Sequence, residues 1–279
     1  MKFDIVVGNP PYQKGDNSHF YKKFIDKSKK MSDIVALVVP SSYFGNKSSF
    51  TGLTHYHYNG MNFANIELST SWFIWNRDHT GSCRVIINNS CINVEKFAIA
   101  PTDDVMMFNI VNKMLLNGIT GYDVKSGDLW RKDAIIDNNG IWCVWTCGRL
   151  GEDLDKIKIS NTQRESLSGF GEHKVVFTEI TGHNTLGHAK YADQRHGIAR
   201  GSRYITVSSM EEANNLINYF KSKFIRAIST VIKGTSKHNT KMVFNSIPKL
   251  DTRVPLTDNE IYNAVGLSTI EISYIDSKF

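Results

Sequence analysis

An amide, two prolines and a tyrosine follow one another near the start of the chain, at Asn9-Pro10-Pro11-Tyr12. The residues before them, Phe3 to Gly8, include the β-branched run Ile-Val-Val and end in glycine, which predicts a buried strand followed by a tight turn. Both prolines fix φ and lack an N–H, so the turn presents backbone carbonyls and no helix starts within it. In open α/β sheets, ligands bind at the carboxyl ends of strands.

Such a turn suits a planar ligand that carries an amino group. The Tyr12 ring can stack on the ligand, while the Asn9 amide oxygen and a proline carbonyl accept the two hydrogen bonds of the –NH2 group. Because both acceptors draw the nitrogen toward sp3 character, its lone pair becomes more available and no strong base is needed. The alternative is a turn that only ends a strand, with Tyr12 packed in the core.

The stretch Phe3-Asp4-x-x-x-Gly8-Asn9-Pro10-Pro11-Tyr12-Gln13 resembles motif IV of the adenine-N6 DNA methyltransferases of restriction–modification systems. The resemblance implies that these four residues, Asn9 to Tyr12, form the catalytic turn: Asn9 and the Pro10 carbonyl hold the target amino group, and Tyr12 stacks on a flipped-out adenine. Glutamine-N5 methyltransferases of release factors and some RNA methyltransferases share Asn-Pro-Pro-Tyr. The motif alone therefore leaves protein and RNA substrates open.

The elements next to this turn predict a βαβ unit. The pattern of residues 18–30 predicts a helix with apolar residues on one face and lysines, including Lys22 and Lys23, on the others. These lysines form either a solvated face or a phosphate-contacting surface. Residues 34–39 are a second β-branched strand, which the βαβ unit places beside the first. The following Pro40-Ser41 resembles the family segment that walls the catalytic pocket.

The next segments complete the predicted sheet. Residues 45–60 are polar and predict a partly helical surface stretch with solvent-facing His55 and His57. Two apolar runs, residues 66–75 and 84–87, flank a turn signal and predict an antiparallel hairpin at the sheet edge, followed by a strand over residues 92–97.

The first hairpin strand ends in Ser71-Trp72-Phe73-Ile74-Trp75-Asn76-Arg77, which resembles motif VIII of the family. The resemblance implies that Trp72 or Phe73 packs on the second face of the adenine, although Leu68-Ser69 replaces the usual paired glycines. The alternative for either ring is core packing. A helix then begins near Thr102, the predicted N-cap, and ends at Gly118, where we place a domain boundary.

Residues 119–208 change character, with short strands separated by Gly-, Asn- and Ser-rich turns that carry basic side chains. The strands predicted at residues 174–181 and 203–207 resemble the target-recognition region of these methyltransferases. The predicted DNA-binding residues of this region are Arg164, Arg195, Arg200 and Arg203. The alternative is a generic β-rich domain. His183 and His188, near Asp193 and His196, fit no common metal spacing, so no metal is expected.

The C-terminal residues predict helices. A capping signal at Ser208-Ser209 opens a helix expected to reach Lys233, and basic residues that include Lys237 follow as a phosphate-contacting surface. The patterns at residues 244–250, 257–262 and 266–275 closely resemble the C-terminal end of the same methyltransferases. The resemblance therefore extends from Phe3 to Ile275, which weighs against a release-factor substrate.

Composition supports this reading. The 279 residues carry a formal charge of +6, a pI of about 9.0 and 11% aromatics, as is common in nucleic-acid-binding proteins. Four scattered cysteines give no disulfide scaffold, no apolar run has the length of a membrane span, and no signal peptide is evident. These features predict a cytoplasmic protein without membrane association.

The resemblance implies S-adenosylmethionine as cofactor, bound in the family by a Gly-rich loop ahead of Asn-Pro-Pro-Tyr. Gly169-Phe170-Gly171 and residues 196–201 are poor substitutes, because no apolar strand leads into them. We therefore expect an incomplete cofactor site. A second polypeptide then supplies the cofactor half, or the chain is a truncated form, or it is an inactive protein that binds DNA or blocks a partner.

These patterns predict an α/β chain. It comprises a partial Rossmann-like methyltransferase sheet with an antiparallel edge hairpin, a β-rich target-recognition domain, and a helical C-terminal segment packed on that domain. The predicted domains are residues 1–118, 119–208 and 209–279. The predicted function is site-specific adenine-N6 methylation of double-stranded DNA.

Overall fold

The structure, a computed structural model, describes residues 2–12, 19–45, 47–61, 69–147, 153–181, 186–233 and 238–279. The chain divides into two compact units, Met1–Leu116 and Asn117–Phe279, called here the N-terminal and the C-terminal unit. The assignment of residues 119–208 to target recognition stays a prediction.

The N-terminal unit is a six-stranded mixed sheet with helices. Its strands, in chain order, are β1 (Val6–Gly8), β2 (Ile34–Pro40), β3 (Leu53–Met61), β4 (Thr70–Asn76), β5 (Cys83–Ile87) and β6 (Ser90–Val94). Its helices are α1 (Phe20–Met31) and α2 (Val105–Leu116), with short 3-10 turns at Ser41–Gly45 and Lys47–Phe50. The strands lie in the order β1-β2-β4-β3-β5-β6.

The predicted βαβ unit is present. Strands β1 and β2 pair in parallel, with Val6 opposite Val35, and α1 connects them. Helix α1 buries Tyr21 and Ile25 completely against the sheet, while all its lysines except Lys29 are exposed. This arrangement places the ends of β1 and β2 at the same edge of the sheet.

Two sequence predictions for this unit are wrong. Residues 45–60, expected to be a partly helical surface stretch, have a short 3-10 turn but then form β3. Although this strand is mostly polar, its Tyr56 is fully buried. Strand β3 lies between β4 and β5, so these two do not form a hairpin. The edge hairpin consists instead of β5 and β6, joined through Asn88 at a φ of 53°.

The two faces of this sheet differ in burial. Side chains such as Val35, Leu37 and Phe73 point toward the helices and form the core. The alternate residues, such as Val38 and Ile74, are only half-buried. Strand β1 is an edge strand in the described sheet, and Ile5 and Val7 are 50% and 71% exposed there. The prediction of a buried strand before the Asn9–Tyr12 turn is therefore wrong: β1 is partly exposed and has a neighbour on one side only in the described sheet.

Helix α2 ends the unit and begins later than predicted. Its first residue is Val105, and the Asp104 carboxylate accepts a hydrogen bond from the Met107 N–H at 3.0 Å. Thr102, the predicted cap, donates its hydroxyl to the Asp104 carbonyl instead. The cap thus lies two residues further along the chain.

The C-terminal unit contains two small sheets. Its strands are β7 (Lys125–Ser126), β8 (Ile136–Thr146), β9 (Asp155–Ile159), β10 (His173–Thr178), β11 (Ala189–Ala192), β12 (His196–Ile198) and β13 (Ser202–Val207). The orders are β11-β10-β13-β7 and β12-β8-β9, with 3-10 turns at Arg131–Asp133 and Asn161–Ser166. The sheets pack on each other through Val144, Val176, Ile198 and Tyr204.

The helices of this unit are α3 (Met210–Lys221), α4 (Lys223–Ile232), α5 (Lys241–Asn245), α6 (Asp258–Ala264) and α7 (Thr269–Lys278). The single helix predicted up to Lys233 is wrong: Ser222 ends α3, and its side chain accepts the Ile225 N–H to start α4. Helix α3 packs on the larger sheet, with the Phe177 and Phe220 ring centroids 4.8 Å apart. The predicted mixed α/β class is confirmed, and the Rossmann-like detail stays a prediction.

Candidate functional site

The turn after β1 exposes its asparagine and packs its tyrosine partly against the core. Asn9 is exposed, Pro10 is buried, Pro11 is exposed and Tyr12 is half-buried; Gln13 lies outside the described residues. The Tyr12 ring meets the buried Tyr21 ring of α1 nearly perpendicularly, at a centroid distance of 6.5 Å. The buried proline and this ring contact fix the turn against the unit.

Tyr12 is held in its neutral form. Burial raises the pKa of its phenol, and the Asn9 side chain opposes part of that rise. Its hydroxyl is buried and, among the described residues, makes no hydrogen bond of good geometry. At neutral pH the side chain therefore offers a ring for stacking rather than a proton acceptor.

Pro40 ends β2, and Ser41 begins a second turn at the same end of the sheet. The Ser41 hydroxyl lies 2.8 Å from the Ser71 hydroxyl of β4, and the Ser41 N–H donates to the Ser69 carbonyl at 2.9 Å. The Tyr56 hydroxyl lies 3.3 Å from the same Ser71 oxygen. This network fixes the position of Ser41 relative to the start of β4, as a pocket wall requires.

The two candidate rings on β4 point to opposite faces of the sheet. Phe73 is 1% exposed and stacks with Tyr43 at a centroid distance of 6.2 Å, so it is a core residue that offers no free face. Trp72 is half-exposed and pairs with Val38 of β2. Gly8 lies opposite Leu37, so Asn9 is level with Val38, which in turn lies opposite Trp72. Trp72 is therefore level with Asn9 and two strand spacings, roughly 10 Å, away from it across the sheet.

The sequence did not predict that His57 lies beside Trp72. The His57 ring lies 5.4 Å from the Trp72 ring, and its Nδ1 is buried without a hydrogen-bond partner among the described residues. Burial lowers its pKa, so the ring is neutral at pH 7. His57 is therefore not the solvent histidine that the sequence predicted, and only the β3–β4 register reveals its position.

The predicted phosphate-contacting lysines of α1 are exposed. Lys22 and Lys23 lie on the solvent side of the helix, and Lys23 Nζ is 6.0 Å from the Phe20 ring. Lys29 differs, because it covers the Trp75 ring at 4.8 Å and burial lowers its pKa. Phosphate contact by the exposed Lys22 and Lys23 therefore stays a prediction, whereas Lys29 is part of the unit's packing.

Three of the predicted DNA-binding arginines of the C-terminal unit lie at its surface. The Arg164 guanidinium lies 4.4 Å over Phe170, Arg200 lies 4.0 Å over Trp130, and the 79%-exposed Arg195 pairs with Asp193. Arg203 has a side chain only 22% exposed and pairs with Glu179 at 2.7 Å, so it serves an internal ion pair. Lys237 lies outside the described residues.

Sequence reasoning also missed a group on the smaller sheet, called here the Trp142 cluster and defined as Trp142, Lys156, Lys158 and His196. Both lysine ammonium groups lie over the Trp142 ring, and the His196 ring stacks on it. The alternation Lys-x-Lys in β9 is the signal that could have indicated two lysines on one face.

A glycine-rich cofactor loop between a strand and a helix is not found in the described parts of the chain. Gly169 and Gly171 have positive φ values of 71° and 86°, but a 3-10 turn precedes them and strand β10 follows. Residues 196–201 comprise β12 and the short connection to β13. Neither segment offers the amide groups of a helix N-terminus, so neither fits S-adenosylmethionine in the expected way.

Within the described ranges, no group of three or more His, Cys, Asp or Glu side chains could hold a metal ion. His183 of the considered histidine set lies outside those ranges. No helix that the structure describes is long and apolar enough to cross a membrane.

Comparison with known proteins locates the resemblance in the N-terminal unit. Residues 1–66 match the family described as Eco57I restriction-modification methylase, so the predicted resemblance to restriction–modification methyltransferases is confirmed for the segment that holds the Asn9–Tyr12 turn. The Type IIL restriction-modification enzyme MmeI in complex with DNA matches over 98% of this chain and 53% of its own, at 9% identity and a TM-score of 0.41. No curated protein matches.

Proposed function

We propose that this chain is the base-holding part of a DNA methyltransferase that modifies adenine at N6, and that the S-adenosylmethionine site lies outside the described residues. One observation carries the proposal: the exposed Asn9 amide and the Tyr12 ring sit on a fixed turn at the end of β1, within the segment that matches a methylase family. Nucleobase chemistry in a duplex requires such an open pocket for an extruded base.

The roles of the chain's own residues follow from that geometry. The Asn9 amide oxygen and the Pro10 carbonyl accept the two N–H bonds of the adenine amino group, which leaves its lone pair directed away from the turn. Tyr12 stacks on one face of the base, and Trp72 is the candidate for the other. Catalysis by these residues consists of orientation and of hydrogen bonds to the reacting group.

Extruding a base from the duplex costs a few kcal/mol, and stacking on an aromatic ring returns about 1–3 kcal/mol per base. The neutral phenol of Tyr12 and the neutral His57 next to Trp72 suit this role, since neither adds a charge that would have to be desolvated beneath the base. The pocket is thus apolar at its faces and polar only where the amino group lies.

The edge of β1 supports the expected protein partner. An edge strand presents unpaired N–H and C=O groups, and here Ile5 and Val7 add exposed apolar side chains. A strand that pairs beside β1 would satisfy these groups, and the rest of the partner would cover the side chains on the sheet face. We propose that this edge receives the cofactor-binding half, as a second polypeptide or as another segment of a longer protein.

A second candidate function is an inactive protein that binds DNA or blocks a partner. The observation that favours it is the poor fit of Gly169 and Gly171 to a cofactor loop. Both candidates share the DNA-contacting residues, and they differ only in methyl transfer.

Methyl transfer from labelled S-adenosylmethionine to DNA separates the two. We expect transfer when the chain is combined with the product of the neighbouring gene, and we expect Asn9→Ala to abolish it. Asn93→Ala, which removes an exposed amide on β6 of the same unit, is the matched control and should keep wild-type transfer. No transfer with or without the partner, while duplex binding is intact, would favour the inactive protein.

A further inference from the structure

The Trp142 cluster spans all strands of the smaller described sheet of the C-terminal unit. His196 of β12 pairs with Trp142 of β8, and Trp142 pairs with Lys158 of β9. Directly paired residues on neighbouring strands point to the same face, so these side chains form one row across the sheet. The row is a continuous surface rather than three unrelated positions.

The tryptophan ring is the centre of this surface. Lys156 Nζ lies 5.1 Å and Lys158 Nζ lies 5.3 Å from its centroid, and the His196 ring stacks on it at 6.2 Å with an interplanar angle of 24°. Both ammonium groups lie within the range of cation–π attraction. The ring therefore holds two positive charges close together, against their mutual repulsion.

The turn at residues 193–196, next to the cluster, is fixed by the Lys174 side chain. This lysine is fully buried, and its Nζ donates to the carbonyls of Glu172, Asp193 and His196 at 2.6, 2.9 and 2.8 Å. Asp193 in turn accepts from His196 Nδ1 at 2.6 Å and pairs with Arg195 at the same distance. These hydrogen bonds fix the backbone on both sides of His196, and with it the position of the His196 ring on Trp142.

The charge of this surface is positive. The Asp193 carboxylate is engaged by Arg195 and His196, and Lys156 faces His196 Nε2 at 3.5 Å. Lys158 donates to the Asn138 carbonyl at 3.0 Å. Among the residues that the structure describes, no carboxylate lies within ion-pair distance of either lysine. The lysines therefore keep their charge available for an external anion.

We propose that the Trp142 cluster binds the phosphodiester backbone of double-stranded DNA. The inference rests on the proposed function for its choice of DNA as the partner, and it adds a surface on the C-terminal unit that neither the sequence motifs nor the family match includes. Phosphate contacts of this kind set the register of a protein on a duplex without reading its sequence. The cluster is a positioning site, separate from the base-holding turn.

The test is the salt dependence of duplex binding by the full chain. Each phosphate contact contributes about 0.9 to the slope of log K against log salt, so Lys156→Ala/Lys158→Ala should lower the slope by about 1.8. Lys156→Arg/Lys158→Arg keeps both charges and should keep the wild-type slope. Lys249→Ala/Lys278→Ala removes the same charge from exposed positions in the same unit and should leave the slope within about 0.3 of wild type.

Three results would overturn the inference: an unchanged slope in the cluster variant, an equal decrease in the control pair, or cluster-dependent binding of single-stranded RNA without binding of duplex DNA. Circular dichroism of all variants tests whether a decrease in the slope of log K against log salt comes from unfolding. If duplex binding depends on the cluster but no methyl transfer occurs, the proposed function fails and the inference stands. If methyl transfer occurs while the cluster variant binds normally, the inference fails alone.

Discussion

The Tyr12 side chain contributes a ring to the proposed site, while its hydroxyl is buried and, in the described part of the chain, has no hydrogen bond of good geometry. Tyr12→Phe should therefore keep methyl transfer within about threefold of wild type. Tyr12→Ala removes the stacking surface, worth about 1–3 kcal/mol per base, and should lower transfer about 10- to 100-fold. Methyl transfer with the partner present is the measurement. Equal losses in both variants would mean that the hydroxyl acts directly.

Lys174 predicts a pH dependence of stability in the C-terminal unit. Burial lowers its pKa to about 8, and Glu172 and Asp193 oppose part of that decrease. The unfolded chain has a lysine pKa of about 10.4, so unfolding takes up a proton between pH 8 and 10.4. The contribution of this group to the free energy of unfolding therefore rises with pH in that window and is constant below it.

Urea unfolding of wild type and Lys174→Met at pH 7.5 and 9.5 measures this effect. The wild type should gain about 1–2 kcal/mol relative to the variant between the two pH values. At pH 7.5 the variant should be destabilised by about 3 kcal/mol, because three buried carbonyls lose their donor. Lys190→Met on the neighbouring β11 is the control, and a variant curve parallel to wild type would contradict the assignment.

Strand β1 is the element through which we propose that the N-terminal unit binds its partner. Ile5→Lys/Val7→Lys places charges on side chains that are already exposed, so the isolated chain should fold normally. The charges would lie on the sheet face next to the proposed contact, where the body of the partner would desolvate them, and the complex should therefore be weakened at least tenfold. Sedimentation or pull-down measures the complex.

Val254→Lys is the matched control for the edge variants, since Val254 is 55% exposed and lies in the C-terminal unit. It should leave partner binding unchanged. Full-strength binding by the β1 variant would show that the partner uses another surface.

Residues 257–262, which resemble the C-terminal end of the methyltransferase family, also have a structural role at the start of helix α6. Thr257 accepts the Glu260 N–H, and Glu260 returns a hydrogen bond to the Thr257 backbone, so the Leu-Thr-Asp-x-Glu pattern is a capping box. Thr257→Ala should lower the free energy of unfolding by about 1 kcal/mol, while Thr257→Ser should be neutral. Chemical unfolding followed by circular dichroism measures both; equal stability of all three proteins would contradict the cap.

At the scale of the whole chain, the clearest prediction concerns the binding of S-adenosylmethionine. Because neither glycine pair in the described residues lies between a strand and a helix, the chain alone should retain no labelled S-adenosylmethionine in equilibrium dialysis. The complex with its partner should bind it. Tight binding by the chain alone would locate a cofactor site of a different construction and remove the main reason to expect a partner.

The sequence by itself determined the local features of this protein. The parallel pair β1–β2 with α1 and the turn at Asn9 follow from short patterns, because β-branched runs, prolines and helical periodicity act over a few residues. The same locality explains the confirmed family resemblance, since residues 1–66 hold both the turn and its supporting strands.

Only the tertiary structure decided which strands are neighbours and which side chains meet. Strand β3 inserts between β4 and β5, which assigns Phe73 to the core and leaves Trp72 at the half-exposed face beside His57. The Trp142 cluster joins three strands separated by as many as 54 residues along the chain, from Trp142 to His196. Strand order and pairing register depend on the packing of the whole sheet, and no local pattern carries that information.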